Sequence, residues 1–170
     1  MVEARVNKQP DITSRPLVQR ESPAWAIPVE FVFVHSYRSD APNWSAVMLG
    51  DDDRKGRLRV AQDLAAALGV RVVADDKLDH GNHELYRAEG VANLCTALRT
   101  RDEVRSALEQ SKTGRVLFVS SPDHLPRVVR DALSLGGVHA LFASSEISHS
   151  QVGAAGVEIV EPAIALGAPS

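Results

Sequence analysis

The fold is decided by the stretch Arg115-Val-Leu-Phe-Val-Ser-Ser-Pro-Asp-His-Leu-Pro-Arg-Val-Val-Arg130. Its beginning, Val116 to Val119, is uncharged and rich in β-branched and aromatic residues, which is typical of a strand buried on both faces of a parallel sheet. The serines and the proline that follow cannot extend this strand, because they compete for backbone hydrogen bonds or lack an N–H group. Apolar residues then recur at helical spacing from Leu125 to Leu135, and Gly136-Gly137 ends that pattern. Strand, polar turn and helix therefore follow one another here, as in an α/β protein.

Similar alternations of apolar runs and helical patterns occur on both sides of this stretch. The strands predicted from them are Val29–His35, Val70–Ala74 and Val138–Ala143, with Val157–Val160 as a candidate fifth strand at an edge. The predicted helices are Leu58–Leu68, a segment whose apolar residues run from Leu85 through Cys95 to Leu98, and Asp102–Gln110. This order predicts an α/β fold: a three-layer, Rossmann-like sandwich with a mostly parallel sheet of four to five strands.

Length and composition place this fold in one domain. The chain has 170 residues, enough for a hydrophobic core without disulfides or metals. Prolines at positions 10, 16 and 23 lie among polar residues, so residues 1–27 are predicted to form a flexible or extended arm. The single domain then spans residues 28–163, and residues 164–170 form a short tail.

Charge and cysteine content indicate which kinds of binding partner and which cellular compartment to expect. A net charge of −3 and scattered arginines argue against a dedicated nucleic-acid-binding protein. No apolar run approaches the ~18 residues of a membrane span. The only cysteine, Cys95, suits a reducing compartment. We therefore expect a cytoplasmic protein whose partner is a small molecule, with no nucleic acid and no membrane as partners; a homodimer is left open.

Two acidic features fit helix starts. Asp51-Asp52-Asp53 precedes the helix predicted to begin near Leu58, where carboxylates would complement the helix dipole. Thr100 and Glu103 have the spacing of a capping box. Both features are predicted to be structural rather than functional.

The first candidate site follows the central strand. Its residues are Ser120, Ser121, Asp123, His124 and Arg127. Ligands of open α/β sheets gather outside the carboxyl ends of the strands, which is where this segment lies. The serine hydroxyls would orient an anionic group, Arg127 would neutralise it, and His124 with Asp123 would move a proton. The structural alternative is that Asp123 caps the helix and Arg127 lies on a solvated face.

A second polar segment follows the second strand. The residues assigned to it are His80, Asn82, His83 and Glu84. We expect ligand contacts from the first three and a catalytic carboxylate from Glu84, which would assist proton transfer. Ser36, at the polar end of the first strand, is a further predicted ligand contact. The two imidazoles could also bind a metal together with Asp123, although no HExxH spacing is present.

Several familiar motifs are missing. Neither Gly-x-Gly-x-x-Gly nor Gly-x-x-x-x-Gly-Lys-Ser/Thr occurs, so ordinary dinucleotide binding and P-loop chemistry have no support in the sequence. Gly-x-Ser-x-Gly does not surround Ser120 or Ser121, which argues against a nucleophilic serine. Taken singly, His35, His139 and His149 indicate nothing.

One segment resembles a known signature. Val119-Ser-Ser-Pro-Asp-His-Leu-Pro-Arg127 is similar to the V-T-S-x-x-H-x-x-R signature of the bacterial domain family that includes YdcF, SanA and ElyC. Arg57–Leu68 resembles the R-x-x-x-A-x-x-L helix of that family, whereas the family's glycine-containing turn after the first strand is replaced by His35-Ser-Tyr-Arg38. The resemblance implies a Rossmann-like fold, a pocket that includes His124 and Arg127, and a nucleotide-like ligand such as S-adenosylmethionine.

These observations lead to one functional expectation and two alternatives. We expect an enzyme that acts on a nucleotide-like or phosphorylated small metabolite by hydrolysis or group transfer, with S-adenosylmethionine or a nucleotide as the ligand. The first alternative is a non-catalytic sensor or partner-binding module that uses the same pocket. The second is a metal-dependent hydrolase with His80, His83 and Asp123 as ligands.

Overall fold

The computed structural model describes residues 27–150. The predicted arm over residues 1–27, the candidate strand Val157–Val160 and the predicted tail therefore fall wholly or almost wholly outside the described residues. The elements are β1 (Phe31–Val34), α1 (Trp44–Leu49), α2 (Arg57–Leu68), β2 (Arg71–Asp75), α3 (His80–Ala88), β3 (Ala92–Cys95), α4 (Thr100–Gln110), β4 (Val116–Ser120), α5 (Leu125–Ser134) and β5 (Leu141–Ser144).

All five strands form one parallel sheet in the order β3-β2-β1-β4-β5. The chain winds outward from β1 in one direction, then returns to β4 on the other side of β1 and continues to β5. The strand order therefore reverses between β1 and β4, which is the switch point of a doubly wound sheet.

Helices cover both faces of the sheet. On one face, α1, α2 and α3 pack on inward residues such as Val32, Val34 and Val119. On the other, α4 and α5 pack on Phe31, Phe33 and Phe118, with Val104, Ala107, Val128 and Ala132 from the helices. β1 and β4 are buried along their whole length because a helix layer lies on each side. The predicted three-layer α/β sandwich is confirmed.

One predicted helix is wrong. The apolar pattern from Leu85 to Leu98 was expected to be helical, but α3 ends at Ala88 and Ala92–Cys95 forms edge strand β3. Gly90 adopts a left-handed φ of 67° just after the helix, a conformation that glycine accepts and that ends a helix. Cys95 therefore lies in a strand, and this strand makes the fifth member of the described sheet.

The predicted helix caps are also wrong. Gly56 is the N-cap residue of α2, and Asp51 instead accepts a hydrogen bond from the backbone N–H of Arg54 (2.9 Å). At α4 the N-cap residue is Arg99, so Thr100 already lies inside the helix and its side chain points elsewhere. No helix within residues 27–150 combines the length and apolar composition needed to cross a bilayer.

Candidate functional site

The site forms where β1 and β4 end side by side. Val34 of β1 is in register with Val119 of β4, so the polar residues that follow them emerge together at the switch point. These residues are His35, Ser36, Ser120 and Ser121, and all four are buried. Buried polar groups need partners, and the partners here are provided by the starts of α2, α4 and α5, by α3 and by the end of β2.

Arg57 is the first residue of α2 and is 1% exposed. Its Nε donates to Ser121 Oγ (2.8 Å), and its Nη1 donates to the backbone oxygens of His35 (3.0 Å) and Ser36 (3.1 Å). None of these acceptors is charged, and no carboxylate of residues 27–150 forms an ion pair with this guanidinium. Burial lowers the pKa of Arg57 to about 10, so the group remains a cation at neutral pH.

His35, Glu103 and Lys77 form a connected chain of charged and polar groups, of which the first two are buried and Lys77 is partly exposed. His35 Nδ1 lies 3.0 Å from Glu103 Oε2, and the Lys77 ammonium pairs with Oε1 of the same carboxylate. Burial opposes ionisation of Glu103, but the imidazole and the ammonium outweigh it and lower the pKa of Glu103 to about 2. Burial also lowers the pKa of His35, although Glu103 acts in the opposite direction. At neutral pH, Glu103 is therefore a carboxylate and His35 is a neutral imidazole.

The turn after β2 directs Lys77 into this chain. Lys77 and Leu78 both have left-handed backbones, with φ of 55° and 56°, which is unusual for residues other than glycine. The carboxylates of Asp75 and Asp76 stabilise the turn by accepting hydrogen bonds from the Lys77 and Leu78 N–H groups (2.8 and 3.0 Å). Such strained turns are found where a side chain must be held in a particular place.

His124 forms a second polar chain beside the first. Its Nδ1 lies 2.8 Å from Ser120 Oγ and its Nε2 lies 3.1 Å from Thr100 Oγ1. The His124 and His35 rings are edge to face, with centroids 5.7 Å apart. Burial, followed by the charge of Arg57, lowers the pKa of His124 to about 3. This imidazole is neutral, so one ring nitrogen donates to a hydroxyl and the other accepts.

Asp123 does not join this cluster. Its carboxylate accepts hydrogen bonds from the N–H groups of His149 (3.0 Å) and Ser150 (2.7 Å) and also pairs with the His149 ring. Burial raises the pKa of Asp123, but these contacts outweigh it and lower the pKa to about 2. The alternative that Asp123 caps α5 is wrong as well, because the N-cap residue is His124. Asp123 anchors the segment that follows β5.

Arg127 lies away from the buried groups. Its side chain is 55% exposed, and its nearest carboxylate is that of Asp131, 3.9 Å away on the same helix. The cation at the switch point is Arg57, which sequence reasoning assigned no functional role. Arg57 does begin the segment that resembles the R-x-x-x-A-x-x-L helix, and this was the signal that could have identified it.

Residues of the second polar segment go to separate places. Asn82 is fully buried and structural, since it accepts from Trp44 Nε1 (2.9 Å) and donates to the Tyr37 carbonyl (2.8 Å). Glu84 is half-buried on α3 and pairs with Arg87 (2.9 Å), which does not bring it to the buried imidazoles. Ser36 is buried and shares its hydroxyl with Tyr86 (2.7 Å) and the Asp75 carbonyl.

His80 and His83 line an open surface depression of about 260 Å³ together with Asp76, Leu78 and Asp79. His83 pairs there with Asp76 (3.1 Å). Within residues 27–150, no three or more His, Cys, Asp or Glu side chains are grouped so that they could hold a metal ion. The ligand set expected for a metal-dependent hydrolase, His80, His83 and Asp123, is therefore not assembled.

Sequence reasoning missed the residues at the centre of the site. His35 gave no signal beyond its place at a strand end, and Glu103 was interpreted as half of a capping box. At the switch point the structure does have Ser120, Ser121 and His124. The sequence predicted this location because the three residues follow a buried strand. The chain matches no protein-family model, and comparisons with curated proteins and with solved structures gave no match.

Proposed function

We propose that the protein binds a nucleotide-like or phosphorylated small metabolite at the carboxyl ends of β1 and β4 and acts on it by hydrolysis or group transfer. The observation that carries this proposal is the buried guanidinium of Arg57, whose hydrogen bonds within residues 27–150 all go to neutral oxygens. Removing an ion from water costs several kcal/mol, and the carboxylates of Glu103 and Asp123 attract this guanidinium only from beyond ion-pair distance. An anionic ligand at this position would supply the counter-ion.

Phosphate is, with carboxylate, one of the two common anions whose geometry suits Arg57. The planar guanidinium matches the spacing of two phosphate oxygens, and charge-assisted pairs of this kind are among the strongest hydrogen bonds in proteins. The hydroxyl of Ser121 already accepts from Arg57 Nε and can rotate to donate to an incoming oxygen. The switch point is also where doubly wound sheets bind their ligands.

The catalytic part of the proposal depends on the two neutral imidazoles. His35 is oriented by Glu103 through Nδ1, an arrangement in which a carboxylate fixes the tautomer of a catalytic histidine. His124 connects two hydroxyls and could pass a proton between them. We propose His35 and His124 as the proton-transferring residues and Arg57 with Ser121 as the anion-binding residues.

A non-catalytic sensor is the second candidate. It is favoured by the pKa of about 3 at His124, because an imidazole of such low basicity is a weak proton acceptor at neutral pH. The sensor would use the same residues at the ends of β1 and β4 and release its ligand unchanged. As part of the first candidate function, we also propose that the protein is a member of the YdcF, SanA and ElyC family and is located in the cytoplasm.

A ligand screen tests the proposal. Thermal unfolding of the wild-type protein would be followed with nucleotides, sugar phosphates and S-adenosylmethionine, and repeated with Arg57→Gln. Arg127→Gln is the matched control, because it removes the same charge from an exposed position. Arg57→Gln should weaken binding of an anionic ligand by roughly 1.5–3 kcal/mol, and Arg127→Gln should leave it unchanged.

Three results are informative. Stabilisation that depends on Arg57, with a ligand that mass spectrometry finds altered after incubation, supports the enzyme. The same stabilisation with an unaltered ligand supports the sensor. Stabilisation that survives Arg57→Gln but is lost in Arg127→Gln overturns the proposed site.

A further inference from the structure

His35 presents one buried nitrogen without a partner. The residue is fully buried, its Nδ1 is held by Glu103, and its Nε2 has no hydrogen-bond partner among the described residues. The ring packs edge to face on Phe33 and His124 and stacks on Phe118. A buried nitrogen without a partner is costly and in native proteins calls for an explanation, such as a ligand.

The chemistry around His35 determines what Nε2 can accept. Glu103 is a carboxylate paired with Lys77, and a carboxylate only accepts hydrogen bonds, so His35 Nδ1 must carry the proton. Burial and the nearby charge of Arg57 disfavour a second proton on the ring. His35 Nε2 is therefore a bare lone pair that requires a donor.

Arg57 has the opposite requirement. A guanidinium has only donors, and Arg57 reaches the main-chain oxygen of His35 itself, so the two groups belong to one small region. A single ligand group that satisfies both must offer an anionic oxygen to Arg57 and an O–H to His35. Phosphate and singly ionised phosphomonoesters offer both, whereas sulfate is fully ionised near neutral pH and has no proton to donate.

We propose that the site selects a phosphate group that carries a proton over sulfate, and that His35 Nε2 makes this distinction. The inference rests on the proposed anion site and narrows its ligand class. Sulfate would place an oxygen lone pair against the lone pair of Nε2. Glu103 is the positioning residue, because it fixes which ring nitrogen carries the proton.

Calorimetric titration at pH 6 tests this selectivity. Inorganic phosphate and sulfate form one pair of probes, and phenyl phosphate and phenyl sulfate form a second. At this pH about half of a phosphomonoester carries a proton, because its second pKa is about 6. We expect phosphate to bind about 10- to 100-fold more tightly than sulfate, which corresponds to one buried acceptor left without a donor. Tighter binding of phenyl phosphate than of inorganic phosphate would favour an ester, rather than free phosphate, as the natural ligand.

Two variants are expected to change the preference for phosphate over sulfate in different ways. In His35→Asn the side-chain amide can still donate to Glu103, but the Nε2 acceptor is gone, so phosphate and sulfate should bind equally. In Glu103→Gln the amide no longer forces the proton onto Nδ1, so His35 can donate from Nε2 and the preference should shrink or reverse. The second variant keeps the inference testable if the first does not fold.

The outcomes separate the two proposals. Equal binding of phosphate and sulfate to the wild-type protein, or a preference that survives His35→Asn and Glu103→Gln, overturns the inference and leaves the anion site in place. Failure of all four probes to bind overturns the anion site itself.

Discussion

Glu103 lies between two groups that can carry positive charge in the protein interior. It is 1% exposed, and each of its two oxygens faces a different partner, His35 or Lys77. Buried ion pairs add little net stability compared with apolar packing, but removing one member leaves the other without compensation. The stability of the fold therefore depends on the carboxylate of Glu103, which compensates both of its partners.

Glu103→Ala should accordingly lower the free energy of unfolding by about 3–5 kcal/mol. The measurement is urea unfolding followed by circular dichroism. Glu109→Ala is the matched control on the same helix, because Glu109 is exposed, and it should change stability by no more than about 0.5 kcal/mol. Equal losses of unfolding free energy in the two variants would show that the buried carboxylate of Glu103 contributes no more to stability than an exposed one.

His35 and His124 make stability depend on pH. In the folded protein the pKa of His124 is lowered to about 3, mainly by burial, and that of His35 is lowered for the same reason. In the unfolded chain both titrate near 6.5. Below pH 6.5 the unfolded state therefore binds more protons than the folded state, so stability is complete above pH 6.5 and is lost as pH falls.

We expect the free energy of unfolding to decrease between pH 6.5 and 4.5 by at most about 1.4 kcal/mol per pH unit for each of these histidines. Below that window the carboxylates with lowered pKa begin to contribute in the same direction. Urea unfolding at pH 7, 6 and 5 measures this slope, which should be shallower in His124→Gln. A stability that is constant from pH 7 to pH 5 would exclude buried neutral imidazoles.

Some residues of the site could be predicted from the sequence and others could not. Ser120, Ser121 and His124 follow a buried strand within one short segment, so their place at the sheet edge was predictable. His35 and Glu103 are 68 positions apart and meet only because α4 packs on the face of the sheet that includes β1. No spacing rule relates such residues, and the signal for Arg57 in the sequence is its place at the start of the segment that resembles the R-x-x-x-A-x-x-L helix.

At the scale of elements, the start of α2 positions Arg57. A Cβ atom on Gly56 would lie 2.6 Å from Gly50 N and from the Met48 carbonyl carbon, so only glycine allows the helix to begin against this backbone. The backbone of Gly56 is itself in an ordinary extended conformation. The requirement for glycine is therefore one of space.

Gly56→Ala should destabilise the protein more than Gly69→Ala does at the other end of the same helix. Gly69 has a left-handed φ of 68° but open space around its Cβ position, so its substitution costs only about 1 kcal/mol of backbone strain. Gly56→Ala must displace backbone atoms, and it should also weaken phosphate binding by moving Arg57. Comparable unfolding midpoints for the two variants would contradict the close approach described here.

The elements that sequence predicted well are those with strong, uninterrupted patterns. β1 and β4 are buried on both faces and appear as short apolar runs, and α5 has apolar residues at regular helical spacing. β3 was missed because the apolar residues of Val91–Cys95 fit a continued helix as well as a half-exposed edge strand. Only the left-handed turn at Gly90 separates the two interpretations, and a glycine at the end of a pattern does not reveal its φ.

At the scale of the whole molecule, sheet topology collects the site. The strand order reverses between β1 and β4, and the starts of α2 and α4 cover the carboxyl ends of these strands from opposite faces of the sheet. One face contributes Arg57 and the other contributes Glu103 and Thr100. The cation and the two imidazoles meet there because the carboxyl end of β1 and the amino ends of α2 and α5 lie at the same edge of the sheet.

Anomalous diffraction from crystals that contain arsenate tests the central claim most directly. Arsenate has the shape and the proton of phosphate, and arsenic can be located by its anomalous scattering. The account predicts an arsenic peak at the switch point, with arsenate oxygens within hydrogen-bond distance of the Arg57 guanidinium and of His35 Nε2. Arsenic peaks only at exposed groups such as Arg127, with none at Arg57, would contradict it.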